Sequence, residues 1–407
     1  MKEKLTLGSL FDGSGGFPLA GIISGIEPIW SSDIEPFPIR VTEKRLPNIK
    51  HYGNIKLLNG ADLEPTDIIT FGSPCQDMSL AGKRSGISGE RSCLFFDAVR
   101  IIKEMRCATN EKYPRYAVWE NVCGAFSSNN GEDFRCVLEA FCRIKDESVS
   151  IPRFEKWRPS GEILGDGFSI AWRTLNAQFW GVPQRRCRIF LVADLGGTSA
   201  GKILFDSESL SGHFEKSRVS WRGIAETAES GAGKASADCV INSPITENIA
   251  CYDIRLTSEN TRISRHNVYP AETSRTLDTN SNSPDSNQGG VAIVAAVNGG
   301  AEHIVRRLTL VECARLQGFP DWWCSDLGDD DPTAEEVAQW QKIFDEYYTA
   351  LGKKGNSKTE NQIRKWLKNP HKDSAEYKMW GNGVALPCVI FVLAGIVYFN
   401  SREPFEE

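Results

Sequence analysis

None of the 12 cysteines stands in a C-x-x-C pair, which argues against a zinc ribbon or a thioredoxin-like site. Reduced thiols in a cytoplasmic protein are the natural reading, and no metal is expected. No run of about 18 apolar residues that could cross a bilayer is present. The nearest approach, residues 384–398, is short and is broken by Pro387 and Cys388. No charged-then-apolar leader opens the chain, so no membrane partner is expected. Net positive charge is missing too: the balance is -6, which would count against a nucleic-acid binder if it were spread evenly.

It is not spread evenly. Asp326, Asp329, Asp330, Asp331, Glu335 and Glu336 lie close together, whereas Lys83, Arg84, Arg185 to Arg188, Arg255 to Arg275, Arg306 and Arg307 gather elsewhere. A basic face can form on an acidic protein, and phosphates meet the local face. The 407 residues, 41% hydrophobic and 25% charged, suffice for a large globular domain and a smaller one.

The stretch Thr66 to Ser79, TDIITFGSPCQDMS, holds a short β-branched run ended by Gly72 and Pro74. It predicts a buried strand, with Cys75 on the loop past its carboxyl end, where open α/β sheets bind ligands. Pro74 stiffens that turn. A lone cysteine is ordinarily a small buried hydrophobe, so Cys75 needs company to mean more.

Several other stretches supply it. Leu5 to Phe11 alternates as a strand does and leads into Asp12 to Gly16, DGSGG, before a helix near Phe17. Such glycines let backbone approach a cofactor. Pro18 replaces the third glycine of G-x-G-x-x-G, which disfavours NAD without excluding it. A second strand, Pro28 to Ser32, ends at Asp33, whose carboxylate can accept bonds from ribose hydroxyls. Leu94 to Met105 has helical periodicity. Tyr116 to Trp119 reads as a strand delivering Glu120, whose pKa an apolar surround would raise. Strands at 170–175 and 188–193 flank Arg186 and Arg188, which point to one side.

Together these motifs resemble the cytosine-specific, carbon-5 DNA methyltransferases. Gly72 to Gln76, GSPCQ, is similar to the family's nucleophile motif, and Arg91 with Leu94 to Phe96 matches its R-x-x-L-F-F arrangement. Arg306 to Asp321 resembles the motif bracing its recognition domain, and Lys378 to Val384, KMWGNGV, its last motif, with Gly383 where Ser is usual. The resemblance implies an α/β fold: a Rossmann-like S-adenosylmethionine-dependent methyltransferase sheet with a smaller inserted target-recognition domain. It implies catalytic roles for Cys75, Glu120, Arg186 and Arg188. Phe11, Gly13, Gly15, Gly16, Asp33, Asn54, Pro74, Leu94 and Asn382 would hold S-adenosylmethionine, Asn54 standing where the family often has Asp. Duplex DNA would meet Gln76, Lys83, Arg84, Arg255, Arg265, Arg275 and Thr276.

The implied layout is a catalytic domain over 1–194, a recognition domain over 195–305, and 306–407 returning through the bracing helix to the sheet. The insert at 322–376 carries two helix-like stretches without a functional reading. The implied activity is methylation of carbon 5 of a flipped cytosine through a Cys75 adduct, in restriction-modification or phage DNA protection. A monomer and a cognate endonuclease sharing its site go with that reading. A tRNA cytosine methyltransferase, a nicotinamide oxidoreductase and an inactive DNA-binding relative remain alternatives.

Overall fold

The computed structural model describes residues 4–74, 94–206, 249–257, 265–270, 273–277, 279, 290–296, 303–353 and 358–402. In the strands at 249–257, 265–270, 290–296 and 303–306 the backbone alone is described.

The amino-terminal half alternates strand and helix. β1 (Thr6–Leu10), α1 (Gly16–Ile23), β2 (Glu27–Ser32), α2 (Pro36–Arg45), β3 (Lys50–Tyr52) and β4 (Ile68–Phe71) come first. α3 (Leu94–Ala108), β5 (Tyr116–Val122), α4 (Glu132–Cys142), β6 (Ser160–Gly165), β7 (Phe168–Asn176), β8 (Gln184–Arg185), β9 (Cys187–Asp194) and α5 (Ala200–Phe205) follow. One eight-stranded sheet runs β3-β2-β1-β4-β5-β9-β7-β6. β3, β2, β1, β4 and β5 pair in parallel, while β9 is antiparallel to both β5 and β7. The order reverses between β1 and β4, so the ligand crevice of such a sheet lies outside the carboxyl ends of those two strands.

The β4 strand is buried at all four positions, as its β-branched run predicts for a central strand. β5 corrects the sequence reading. It runs past Trp119 to Val122 because β9 continues to pair with it, Glu120 opposite Phe190 and Val122 opposite Arg188. Glu120 therefore projects from the strand itself.

Helices cover both faces. One face carries α1, α5 and the carboxyl-terminal helices, with Phe17, Ile203 and Val392 in its core. The other carries α3 and α4, with Phe95, Ile101, Phe134 and Phe141 packed on Trp119 and Leu191. Burying each of these side chains contributes about 1.5–3 kcal/mol.

In the middle stretch, β10 (Ile249–Thr257), β11 (Arg265–Pro270), β13 (Gly290–Ala296) and β14 (His303–Arg306) form a separate antiparallel sheet, β11-β10-β13-β14. Two parts of that stretch join the large body instead. Ala200, Ile203 and Leu204 of α5 enter its core, and β12 (Ser274–Arg275) pairs with β8 while Leu277 is buried beneath.

The chain then returns through α6 (Leu310–Gln317), α7 (Ala334–Ala350), α8 (Glu360–Lys368), α9 (Asp373–Asn382) and α10 (Leu386–Arg402). α6 begins with a capping box between Thr309 and Glu312. The insert's α7 and α8 build a core of their own, Val337, Trp340, Phe344, Ile363 and Leu367, closed by Ile39 of α2. Among the described residues no single helix is long and apolar enough to cross a membrane, and no cluster of metal-ligating side chains occurs.

Candidate active site

The glycine turn after β1 is held in shape by its backbone. Phe11, Gly13 and Gly15 all have positive φ (54°, 54° and 79°), and the Gly15 amide donates to the Asp12 carbonyl at 3.0 Å. Gly16 serves packing: a Cβ there would lie 2.5 Å from a methyl of Val384. The turn at the end of α9 thus packs on the glycine turn through Val384. Asn382 is exposed at its rim.

Asp33, one residue past β2, is laced to that turn. Its Oδ2 accepts from the Gly13 amide at 2.8 Å, and its Oδ1 accepts from the amides of Ile34 and Glu35 at 2.7 and 2.8 Å. Burial raises its pKa, while these bonds and Lys378 oppose the rise. Asn54 caps a short turn, its side chain accepting from the Lys56 amide at 3.1 Å.

Asp12 was not singled out in the sequence. Its Oδ1 accepts from the Ser9 hydroxyl at 2.7 Å, but its buried Oδ2 has no hydrogen-bond partner. Burial first, then the charge of Asp33, raise its pKa to about 7 against the Ser9 bond. An unmatched carboxylate oxygen within a glycine-lined turn, next to Asp33, suits a ligand with hydroxyls and a positive charge. The residues present fit S-adenosylmethionine, with Asp12, Gly13, Gly15 and Asp33 as its holders. The signal available in the sequence was the acid inside DGSGG.

Cys75 and Gln76 follow directly on Pro74 and, with Lys83 and Arg84, lie outside the described residues. Pro74 itself is exposed, and half-buried Leu94 opens α3. What positions the start of the cysteine loop is β5. Trp119 Nε1 donates to Ser73 Oγ at 3.0 Å, and Asn121 Nδ2 donates to the Ser73 carbonyl at 3.2 Å. Gly72 lies close under the Glu120 side chain: a Cβ there would sit 3.2 Å from Glu120 Oε2. The Glu120 carboxylate therefore overhangs the strand end that leads to Cys75.

Glu120 is 7% exposed and pairs with Arg188, Nε to Oε1, at 3.2 Å. Burial raises its pKa, and Arg188 and then Arg186 pull it back. Arg186, expected beside the substrate, is buried and donates through Nη2 to the carbonyls of Gly381 and Gly383. Its position thus joins Glu120's surroundings to the turn that closes on the glycine loop. Gln184 and Gln317 brace the same region, donating to the carbonyls of Leu316 and Trp380 at 3.2 and 2.7 Å.

Beside this group, Cys123 and Cys187 bring their sulfurs to 3.1 Å across β5 and β9. The Cys187 pKa is lowered to about 7, first by the Cys123 contact and against burial, while that of Cys123 is raised.

Of the expected DNA contacts, Arg275 and Thr276 run along β8. Arg275 is opposite Arg185, and the Thr276 hydroxyl donates to the Arg185 carbonyl at 2.9 Å. Arg255 lies on β10 and Arg265 begins β11, with backbone alone described.

A sheet reversing at β1 and β4, a glycine turn with two acids on one side and a buried glutamate–arginine pair on the other define a class I type methyltransferase site. The sequence profile of the C-5 cytosine-specific DNA methylases matches residues 5–145 and 162–332, and the chain belongs to that family. It is 32% identical over 237 residues to a DNA N-6-adenine-methyltransferase of Escherichia phage P1, covering 52% of this chain and 31% of that one. With the type II methyltransferase M.BsuFI of Bacillus subtilis it shares 31% over 196 residues, 47% of this chain and 41% of the relative. The chain thus spans well under half the length of these two curated relatives. With M.HaeII of Haemophilus aegyptius identity is 26% over 321 residues, 79% of this chain and 84% of that one. Among solved structures, the S. pombe Dnmt2 methyltransferase superimposes with a TM-score of 0.56 at 16% identity, covering 98% of this chain and 100% of that one. That likeness is one of fold.

Proposed function

We propose that this chain transfers a methyl group from S-adenosylmethionine to carbon 5 of a cytosine flipped out of a specific duplex DNA sequence. The observation that carries the reading is the buried Glu120 carboxylate, paired with Arg188 and overhanging the β4 end that leads to Cys75.

Carbon 6 of cytosine is a poor electrophile. The Cys75 thiolate adds there, giving its electron pair to a new S–C bond, once the charge building on the ring is relieved. Glu120, whose pKa burial raises against the pull of Arg188 and Arg186, is placed to relieve it by sharing a proton with ring nitrogen 3. Arg188 fixes the carboxylate's orientation. S-adenosylmethionine supplies, when bound, a methyl group on a sulfonium sulfur that keeps the electron pair as the methyl leaves. Carbon 5 of the adduct would take that methyl; passage of the carbon-5 proton to water, with the C–S electron pair returning to the Cys75 thiolate, would then restore the aromatic ring. The base must leave the helix, since thiol and methyl donor need its opposite faces.

The separate antiparallel sheet of β10, β11, β13 and β14, which carries Arg255 and Arg265, is assigned to target recognition together with Arg275 and Thr276, which lie along β8. The catalytic domain takes 1–194 and the bracing and returning helices 306–407. Relatives named as type II methyltransferases support a place in restriction-modification or phage DNA protection. With it go a cytoplasmic monomer and a cognate endonuclease acting on the same site. The adenine-directed name of the phage P1 relative belongs to a chain of which 31% is matched.

The test is methyl transfer from tritiated S-adenosylmethionine to duplex DNA and to tRNA in parallel. Label in duplex DNA alone is expected, and label in tRNA alone would overturn the choice of substrate.

A further inference from the structure

The insert between α6 and α9 has a place in the site. Its helix α7 is held rigidly, with Trp340 and Phe344 packed on Ile39 of α2, the Arg40 guanidinium 5.9 Å from the Trp340 ring, and Gln339 donating to Glu43 at 3.0 Å. That packing delivers the end of α7 to the carboxyl end of β3. There Glu346 Oε2 accepts from the Asn54 amide at 3.2 Å, and Gly53 makes room, since a Cβ on it would lie 2.2 Å from that oxygen. The ends of β2 and β3 are tied together by Ser32, whose hydroxyl donates to the Gly53 carbonyl at 2.7 Å, so Glu346 stands one strand over from Asp33. The same rim holds Lys378 paired with Glu35 at 2.7 Å, with Tyr347 beside both.

A nucleoside whose ribose rested on Asp33 would have β3 as the neighbouring strand within reach of its base, one sheet step of about 4.8 Å away. At that place the Asn54 side chain already accepts from Lys56. The Glu346 carboxylate has lone pairs left after its bond to Asn54. A carboxylate there favours a base presenting an N–H donor and repels one presenting a carbonyl oxygen.

We propose that Glu346, supplied by the insert, is the specificity-determining residue for the base of the cofactor, accepting a hydrogen bond from the exocyclic amine of adenine. The proposal rests on the reading of the glycine turn and Asp33 as an S-adenosylmethionine site. Titration calorimetry with S-adenosylhomocysteine and with S-inosylhomocysteine, which differ at that amine, tests it in the full chain. The unmodified protein is expected to prefer the amine-bearing ligand by about 10- to 100-fold. Glu346→Ala should cut that preference to within about threefold, and so should Glu346→Gln, whose amide can turn to either base and whose shape preserves the fold. If Glu346 merely braces the Asn54 amide, both ligands weaken together and the preference persists, which overturns the proposal. Failure of the unmodified protein to bind either ligand would instead overturn the reading of the site itself.

Discussion

Glu120 and Cys75 divide the labour of the proposed reaction, and substitution separates them. Cys75→Ser should leave no measurable turnover while DNA binding, followed by gel shift, persists; retained turnover would exclude the covalent route. Glu120→Gln should slow methyl transfer by about 10²- to 10⁴-fold with little change in cofactor affinity. Equal losses in both would assign Glu120 a structural role. Asp12 gives a pH signature. Its folded-state pKa of about 7 stands above the ordinary 3.8, so the native state keeps a proton the unfolded chain releases. Stability on this account is fully present below about pH 4, falls as pH rises toward 7, and is level beyond. Asp12→Asn should remove that decline, gaining up to about 4 kcal/mol at pH 8 relative to pH 4 in denaturant titrations without cofactor. Glu43, also raised to about 7 by burial, titrates equally in both proteins and cancels in the comparison. At this scale the sequence made Asp33 and Glu120 legible, because each follows or ends an apolar run. Asp12 was visible only as the acid inside DGSGG, because its burial and the unmatched Oδ2 exist only once the turn is folded.

The elements explain why some motifs need particular residues and why others escaped reading. Gly16 is needed where α1 starts because Val384 fills the space a side chain would take. Gly16→Ala should cost about 1–3 kcal/mol of stability by overpacking. A second change, Val384→Ala, should recover part of it in a double-mutant cycle; additive losses would mean the two sites do not touch. β4 was legible from its short β-branched run, down to its four residues, whereas β3 and β6, short or lying at the sheet's edges, were not read. The end of β5 was not, because pairing with β9 extends it beyond its apolar part. The same pairing creates the Cys123–Cys187 contact across 64 residues of sequence, which no scan for local cysteine spacing detects. The helices of the insert were visible by periodicity, but periodicity says only that one face is buried. That this face meets Ile39 of α2, and so aims Glu346 at β3, is a tertiary fact.

As a whole, the molecule joins two kinds of information. The large sheet carries chemistry on motifs that are contiguous in sequence, and its order of strands places their loops around one crevice. The small antiparallel sheet, assigned to target recognition, is built from strands whose composition says little about which bases they meet, because base readout depends on side-chain placement in a groove. The acidic balance of the chain is likewise a sum that hides its distribution. The central claim is that this fold methylates carbon 5 of cytosine at one DNA sequence. The most direct measurement incubates the protein with S-adenosylmethionine and duplex DNA of random sequence, then reads 5-methylcytosine at every position. Methylation confined to one short motif is the expected result. Methyl groups on adenine, or none on any base when the cofactor is shown to bind, would contradict the account.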